Sequence, residues 1–372
     1  MITVKKVETL SQRRAFVRFP LRLYKGVKEF VPALYMEEKK ILSSHNIHRA
    51  TSESVFFLAY EDGKVVGRIQ GILQRAANEK WQQSRIRFTR FDCIDSQAVA
   101  HALFGALEDW GRELGMQEIC GPLGYTDFDR EGLLIQGFDQ DSTFEEQYNF
   151  PYYQKLIENE GFVKDVDWLE RKIFPPKSID PRIQRIADRA MKKNGFRFVD
   201  APSVSWIIKK YGNKFFDLLE KTYGNLYGVV PFNEAEKKDA CSSFKTFLTP
   251  YYVRFIVDSH DNLVAFGVCF PAIGDALKKS GGRLTIPALI KVLRARRDPE
   301  VIDLGLIGVA EEHRATGVSW AILLEVMKML NQGRVKWCET NLNLEDNEEI
   351  NDVWKHFGSV IHKRRRSFVK KI

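Results

Sequence analysis

Apolar residues run unbroken through Val55–Tyr60 and dominate Lys64–Leu73, where polar Arg68 and Gln70 interrupt them, with Glu61-Asp-Gly63 between the two runs. Two such runs, Ser54–Tyr60 and Lys64–Leu73, on either side of a glycine-containing turn predict a β-hairpin. Ile86–Cys93 reads as a further strand. Ser96–Leu114 carries the longer helical spacing and closes on Gly115. A strand at Glu118–Gly121 and a helix at Pro151–Asn159, leading to Gly161-Phe162, complete this half.

The second half repeats the order. Tyr252–Asp258 and Leu263–Pro271 predict a hairpin over Ser259-His-Asp-Asn262, followed by an apolar strand at Val301–Val309. Val318–Asn331 places Val318, Ile322, Leu323, Val326 and Leu330 on one stripe, the spacing of a helix laid on a sheet. A strand at Lys336–Asn341, a helix at Glu348–His356 and a terminal strand near Ser359–Lys370 follow. Phe174-Pro-Pro-Lys-Ser-Ile-Asp-Pro181 breaks regular structure between the halves, and Ile183–Asn194 then reads as a helix closed by Gly195. The expected division is residues 1–174, a linker and connecting helix at 175–194, and residues 195–372. Each half predicts an α/β (α+β) domain, a mixed central sheet flanked by helices.

Between the Val301–Val309 strand and the helix after it lies an R-x-x-G-x-S pattern, Arg314-Ala-Thr-Gly-Val-Ser319. The first N–H groups of a helix lack internal partners and sit at the positive end of its dipole. Gly317 clears the approach to that backbone, and Arg314 and the Ser319 hydroxyl add charge and a donor, so the turn suits an anion. The other reading is a glycine-containing turn carrying a surface arginine.

Composition narrows the partners. The chain of 372 residues exceeds one small core, and 44% apolar with 28% charged residues describes a globular protein. No run of about 18 apolar residues occurs, and Met1–Arg14 has no apolar signal core, so no membrane insertion and a cytoplasmic location are expected. Cys93, Cys120, Cys241, Cys269 and Cys338 are scattered and the histidines do not cluster, so neither disulfides nor a metal is expected. A net charge of +8 favours anionic partners. Two basic clusters, Arg294-Ala-Arg-Arg297 and Lys363-Arg-Arg-Arg366, suit a nucleotide phosphate, an acidic carrier protein, nucleic acid or a membrane surface, or are simply solvated. Nucleic acid is not expected, because no aromatic residues interleave with the basic ones.

Leu306-Ile-Gly-Val309, Arg314-Ala-Thr-Gly-Val-Ser319 and the helix of Leu344–Gly358, with its Asn347, resemble the GNAT superfamily of acyltransferases. Tyr148–Phe162 resembles the same helix in the first half, so the whole chain resembles a tandem GNAT protein. The resemblance implies transfer of an acyl group, in the first instance acetyl, from coenzyme A to an amine on a small molecule or peptide. The transfer is by direct attack, and no metal takes part. It implies that Arg314, Ala315, Thr316, Gly317, Val318 and Ser319 hold the pyrophosphate. The main chain of Ile307, Gly308 and Val309 would bind the pantetheine arm, and Asn347 would lie beside the cofactor. Exposed N–H groups suit both a diphosphate and a developing oxyanion.

The equivalent turn of the first half, Phe91-Asp-Cys-Ile-Asp-Ser-Gln-Ala98, lacks the pattern. Asp95 or Ser96 is expected to cap that helix, leaving one cofactor site in the chain, with the first half serving structure or acceptor recognition. In many family members a tyrosine seven residues after the helix-opening asparagine protonates the leaving thiolate; counting from Asn347 gives Trp354. Tyr227, solvent or no acid at all would then serve. Glu339 is the candidate base; its other reading is a solvent-facing or ion-paired strand carboxylate. Asn225 and Tyr227 are placed to meet an acceptor, and Tyr125, Asp127 and Arg130 to line a pocket between the halves, each set otherwise belonging to an ordered loop. Two further readings stay open: an acyl-coenzyme A-binding or regulatory protein without turnover, and a relative of tRNA-dependent aminoacyl transferases. The duplication suggests a monomer whose two sheets mimic a dimer, or a homodimer.

Overall fold

The computed structural model describes residues 1–372. The chain divides into two units: Met1–Leu169, Gly274–Leu289 and His362–Ile372 form the first, Glu170–Ile273 and Ile290–Ile361 the second. It begins with β1 (Ile2–Lys6), α1 (Leu10–Leu23), α2 (Tyr35–Lys40), β2 (Ser52–Glu61) and β3 (Lys64–Gln74). Then come α3 (Arg75–Trp81), β4 (Arg85–Cys93), α4 (Gln97–Glu113), β5 (Glu118–Gly121), β6 (Leu133–Gln136), α5 (Tyr152–Asn159) and β7 (Val163–Ile173). The chain continues through α6 (Pro181–Asn194), β8 (Arg197–Phe198), α7 (Val204–Tyr223), α8 (Glu234–Phe247), β9 (Val253–Val257) and β10 (Leu263–Pro271). Next are α9 (Gly274–Lys278), α10 (Ile286–Arg297), β11 (Val301–Val309), α11 (Val318–Leu330) and β12 (Trp337–Thr340). β13 (Asn343–Leu344), α12 (Glu348–Lys355) and β14 (Ser359–Lys371) close it. No helix is long and apolar enough to cross a membrane.

The strands and helices read from periodicity form within a few residues of their expected bounds. The β2–β3 turn has Asp62 and Gly63 both at positive φ (49° and 75°), which suits the right-handed twist of the flanking strands. In the first unit the strands run β1-β2-β3-β4-β5-β14, with β4 and β5 parallel and the other pairs antiparallel. Phe88, Leu103, Phe104, Leu107, Tyr153 and Phe368 fill its core. In the second unit β7, β12, β11, β10, β9 and β8 lie in that order, with β11 and β12 parallel. Its core takes Ile256, Ala265, Val318, Ala321 and Ile322.

Two features depart from the expected division at 174 and 195. The stretch 175–194 is no free linker. Its helix α6 is capped by Asp180, whose side chain accepts from the Arg182 N–H, and Ala187 joins the core around α11. More consequentially, the units exchange terminal strands. Most of β14 belongs to the first unit, where Phe368 pairs with Gly121 and Val369 with Cys120, and β7 ends in the second unit beside β12. The reason is burial: Lys363, Arg365, Ser367 and Phe368 are enclosed, and Arg364 and Arg366 both bond to Asp167 of β7. A basic cluster with a solvated-face reading is therefore largely interior. Hydrophobic period identifies a strand but not its neighbour.

Candidate functional site

β11 is paired with β10 along its length but with β12 only from Val301 to Leu304. Where β12 leaves, β11 takes an extra residue: Cys269 faces Leu304 and Val268 faces Leu306, so Gly305 bulges. A Cβ on Gly305 would stand 2.5 Å from the Phe270 ring. Beyond this fork the β11 edge opens, and the Ile307 polar groups turn away from β10. They are held by a residue that sequence reasoning assigned no role. The Tyr223 hydroxyl, at the end of α7, accepts from the Ile307 N–H at 3.1 Å and donates to its carbonyl at 3.0 Å. Gly308 next to it is close-packed, a Cβ there meeting the Phe266 ring at 2.5 Å and the Thr222 hydroxyl at 3.0 Å. Val309 pairs with Ala265 and ends the strand.

A short 3₁₀ turn, Glu311–Thr316, carries the chain to Gly317, whose φ of 84° opens α11. No side chain at the N-cap position caps this helix; the Val318 N–H has a 3.3 Å contact with the Thr316 hydroxyl, which itself donates to the His313 carbonyl. Arg314 and Ala315 are exposed, and Arg314 has a long 3.8 Å approach to the exposed Glu349. Val318 is buried while Ser319 is half-buried. The Phe196 ring meets His313 edge-on, and Ile186 of α6 lies 3.2 Å from where a Gly317 Cβ would stand. The loop is thus braced from behind by Phe196 and Ile186, with its arginine exposed.

The other named residues fall elsewhere. Asn347 spends its side-chain oxygen on the Ile350 N–H as the N-cap of α12. Trp354 is 1% exposed and donates its indole N–H to Asn343, so it packs the core. Glu339 is 6% exposed and lies in the closed part of the β11–β12 pair, beside Asp303 and with a carboxylate oxygen within 4.8 Å of one on Glu170. The solvent-facing reading of Glu339 is therefore corrected. Asn225 is exposed and Tyr227 half-buried in the turn after Tyr223. Cys338 beside Glu339 is a poor nucleophile: burial, then Cys269, Asp303 and Glu339, push its thiol well up. All five cysteines are free.

The first unit builds a similar fork and fills it. β4 pairs with β5 only through Arg87, and beyond it Arg90 sits at a φ of 49°, a left-handed strain in the middle of a strand. Its guanidinium reaches Glu38 at 3.0 Å and Gln70 at 2.9 Å. Arg68 bonds Asp92 at 2.7 Å and Glu38 at 3.4 Å. Burial would raise the Glu38 carboxyl, but Arg90, Arg68 and Arg130 hold it at about 2. The cavity among Tyr24, Glu38, Arg68, Arg90 and Arg130 is about 50 Å³, room for a few waters. Tyr153 accepts from the Cys93 N–H at 3.0 Å, and Tyr152 donates to the Cys93 carbonyl at 2.8 Å.

At the start of α4, Ser96 makes no capping hydrogen bond, contrary to expectation. Crowding closes that turn instead: Gln97 bonds the Leu156 carbonyl and Glu160, and Asn159 bonds Gln97. Tyr125, Asp127 and Arg130 all belong to the first unit. Tyr125 is a buried hub whose hydroxyl meets Ser54, Gln70 and Asn46. Asp127 is pushed up to about 7, by burial first and by Asp129, and the neighbouring Glu131 well above its usual range, by burial and by Asp127.

No family model matches the chain. It is 26% identical to the protein YghO of Escherichia coli (strain K12) over 371 residues, 96% of this chain and 93% of that protein. To the bacterial ceramide synthase of Caulobacter vibrioides (strain NA1000 / CB15N) it is 23% identical over 385 residues, 99% of this chain and 97% of that one. Among solved structures it is similar to a tandem GNAT protein from the clavulanic acid biosynthesis pathway (TM-score 0.56, 13% identity, 100% of this chain and 98% of that). It is also similar to a GCN5-related N-acetyltransferase from Sphaerobacter thermophilus (TM-score 0.51, 11% identity, 100% and 95%). The chain therefore has the tandem GNAT fold, as its repeated element order implies.

Proposed function

We propose that the chain is an acyl-coenzyme A-dependent N-acyltransferase whose second unit holds the cofactor. The observation that carries this reading is a single continuous track in that unit. It runs from the fork beyond Leu304, where the Tyr223 hydroxyl holds both main-chain groups of Ile307, to a helix start at Gly317 with no N-cap side chain, with Arg314 exposed beside it. The amides from Ala315 to Ser319 and Arg314 would hold the diphosphate, and the Ile307–Val309 main chain would take the pantetheine arm as the Tyr223 hydroxyl gives up its bonds there.

Acyl-coenzyme A supplies the activated carbonyl. The acceptor amine forms the new C–N bond as the C–S bond breaks, one proton leaves the nitrogen, and one is taken up by the thiolate. Tyr223 is placed to supply that proton: its hydroxyl already stands at the Ile307 main chain, while Trp354 is committed to packing. Glu339 on the fork-forming strand β12, with Glu170 near it, would receive the nitrogen's proton, and Asn225 and Tyr227 in the turn after Tyr223 would meet the acceptor. The similarity to a bacterial ceramide synthase over nearly the whole of both chains supports a long-chain amino alcohol as acceptor, since a ceramide is an amide of such an amine.

Release of free thiol from acyl-coenzyme A in the presence of a long-chain amino alcohol tests the reading. Arg314→Glu should weaken coenzyme A binding by about tenfold or more; unchanged binding would refute the cradle. Binding without thiol release under any amine would favour the reading as a binding protein without turnover, for which the committed Trp354 is the supporting observation.

A further inference from the structure

The helix α10, Ile-Pro-Ala-Leu-Ile-Lys-Val-Leu-Arg-Ala-Arg-Arg, is amphipathic in the wrong sense for a helix that only packs on a protein. Ala288 and Val292 are buried, at 3% and 2% exposure. Yet Ile286 is 78%, Leu289 42%, Ile290 45% and Leu293 50% exposed, and Leu284 just before the helix is 46% exposed. At about 100° per residue, the four exposed apolar residues of the helix share an arc of about 100° on the side away from Ala288 and Val292. Their spacing of i, i+3, i+4, i+7 is that of an apolar stripe, and it faces solvent.

Charge defines what the stripe fits. Between Ala276 and Arg297 there are seven basic residues and no acidic one: Lys278, Lys279, Arg283, Lys291, Arg294, Arg296 and Arg297. Some are committed within the protein. Lys278 pairs with Asp141, Arg283 stacks on Tyr35, and Arg296 bonds the carbonyls of Thr246 and Leu248. Lys279, Lys291, Arg294 and Arg297 remain exposed; at about 100° per residue Arg294 borders the stripe and Arg297 falls at its end, while Lys291 lies toward the opposite face. The stripe is a row of Leu and Ile with no acidic residue between Leu284 and Arg297, and only at its last turn do Leu293 and Arg297 also line an open cleft, with Asp298 and Arg334. Long aliphatic cations beside such a row keep their charges at the headgroup level while the apolar side chains enter the acyl layer.

We propose that α10 docks the protein on an anionic lipid bilayer, lying parallel to the surface with Ile286, Leu289, Ile290 and Leu293 inserted and Arg294 and Arg297 at the headgroups. This inference stands on the helix alone and holds whether or not the chain transfers acyl groups. It is consistent with the lack of a membrane-crossing helix, since an interfacial helix binds without spanning.

Co-sedimentation of the full chain with vesicles of phosphatidylcholine, with and without about 30% phosphatidylglycerol, tests it. The protein should pellet with the anionic vesicles, lose binding as salt rises, and bind neutral vesicles at least about tenfold less. Leu289→Ser combined with Leu293→Ser should cut binding to anionic vesicles at least about tenfold, and Arg294→Glu with Arg297→Glu should do so by removing the charge alone. All four side chains are exposed, so an unchanged thermal unfolding curve accompanies either result. Failure to pellet with anionic vesicles, or equal pelleting by parent and both variants, overturns the proposal. It is equally overturned if the stripe instead drives concentration-dependent self-association or binds an acidic acyl carrier protein while vesicle binding is absent.

Discussion

A phenol hydroxyl that accepts from and donates to one peptide unit fixes that unit without using its aromatic ring, and Tyr223 does this at Ile307. Removing the hydroxyl leaves two polar groups at the fork without that partner while hardly changing the volume. If Tyr223 supplies the thiolate proton, Tyr223→Phe lowers kcat by about 10²-fold or more with KM nearly constant, and the alkaline limb of the kcat profile disappears. A change confined to KM would reduce Tyr223 to a brace for the strand. At the same scale, Asp127 makes a prediction about stability. Burial, and Asp129 after it, raise its folded pKa to about 7 from an ordinary value near 3.8. The folded chain therefore holds a proton that the unfolded chain has lost, and stability falls as pH rises from about 4 through about 7. Glu38 acts oppositely: held at about 2, it stabilises above about 4.5 and loses that contribution as pH falls toward 2. Asp127→Asn should flatten the decline between pH 4 and 7 and raise the Tm at pH 7.5 by about 3 °C, roughly what 1 kcal/mol yields in a chain of this size. An Asp127→Asn protein whose Tm falls as steeply as the parent's would assign the decline to Glu131 and to Glu145, whose carboxyl burial also pushes up to about 7.

At the level of elements, Gly317 joins local conformation to the site. A φ of 84° suits glycine, and a Cβ there would press on Ile186 of α6 at 3.2 Å. Gly317→Ala is expected to cost about 1 kcal/mol of stability and to weaken coenzyme A binding more than it lowers the Tm, because the backbone it moves is the cradle. Isothermal titration beside thermal unfolding separates the two effects, and a Tm loss with unchanged affinity would place the ligand elsewhere. This loop, both hairpins and the helices at α4, α11 and α12 were legible in the sequence because local pattern and local structure coincide there: short apolar runs bounded by polar turns, and closing glycines. The first helix was not, since Pro20 interrupts Leu10–Leu23 and its cap is a Thr9–Gln12 box with no apolar run to announce it. Neither was the role of Tyr223, whose partner lies 84 residues away. Ser96 shows the converse failure, a capping residue by type that makes no cap because Gln97 is tied to α5 across 59 residues of chain.

At the scale of the molecule, the consequence that period and composition conceal is the exchange of strands. The last eleven residues complete the sheet of the first unit, with Phe368 fully buried in its core and Arg365 donating to the Gln147 carbonyl at 2.6 Å. Removing them exposes the edge of β5, takes Phe368 from among Phe88, Phe104 and Phe162, and leaves the buried Asp167 without Arg364 and Arg366. Loss of a buried aromatic alone costs about 3–5 kcal/mol, and a buried carboxylate left with Lys164 at 3.5 Å as its remaining ion pair adds to it. Truncation after Ile361 is therefore expected to unfold the first unit, including β2, β3 and α4 more than 200 residues away in sequence from the cut, while residues 314–319 keep their own packing. Hydrogen exchange on the truncated chain reads this directly: amides of β2, β3 and α4 should lose protection and those of β10 and α11 should retain it. Had the chain been two self-contained repeats, as a boundary at 174 and 195 implies, the pattern would be reversed. Loss of protection confined to β11 and β12 would show that the terminal strand serves the second unit after all.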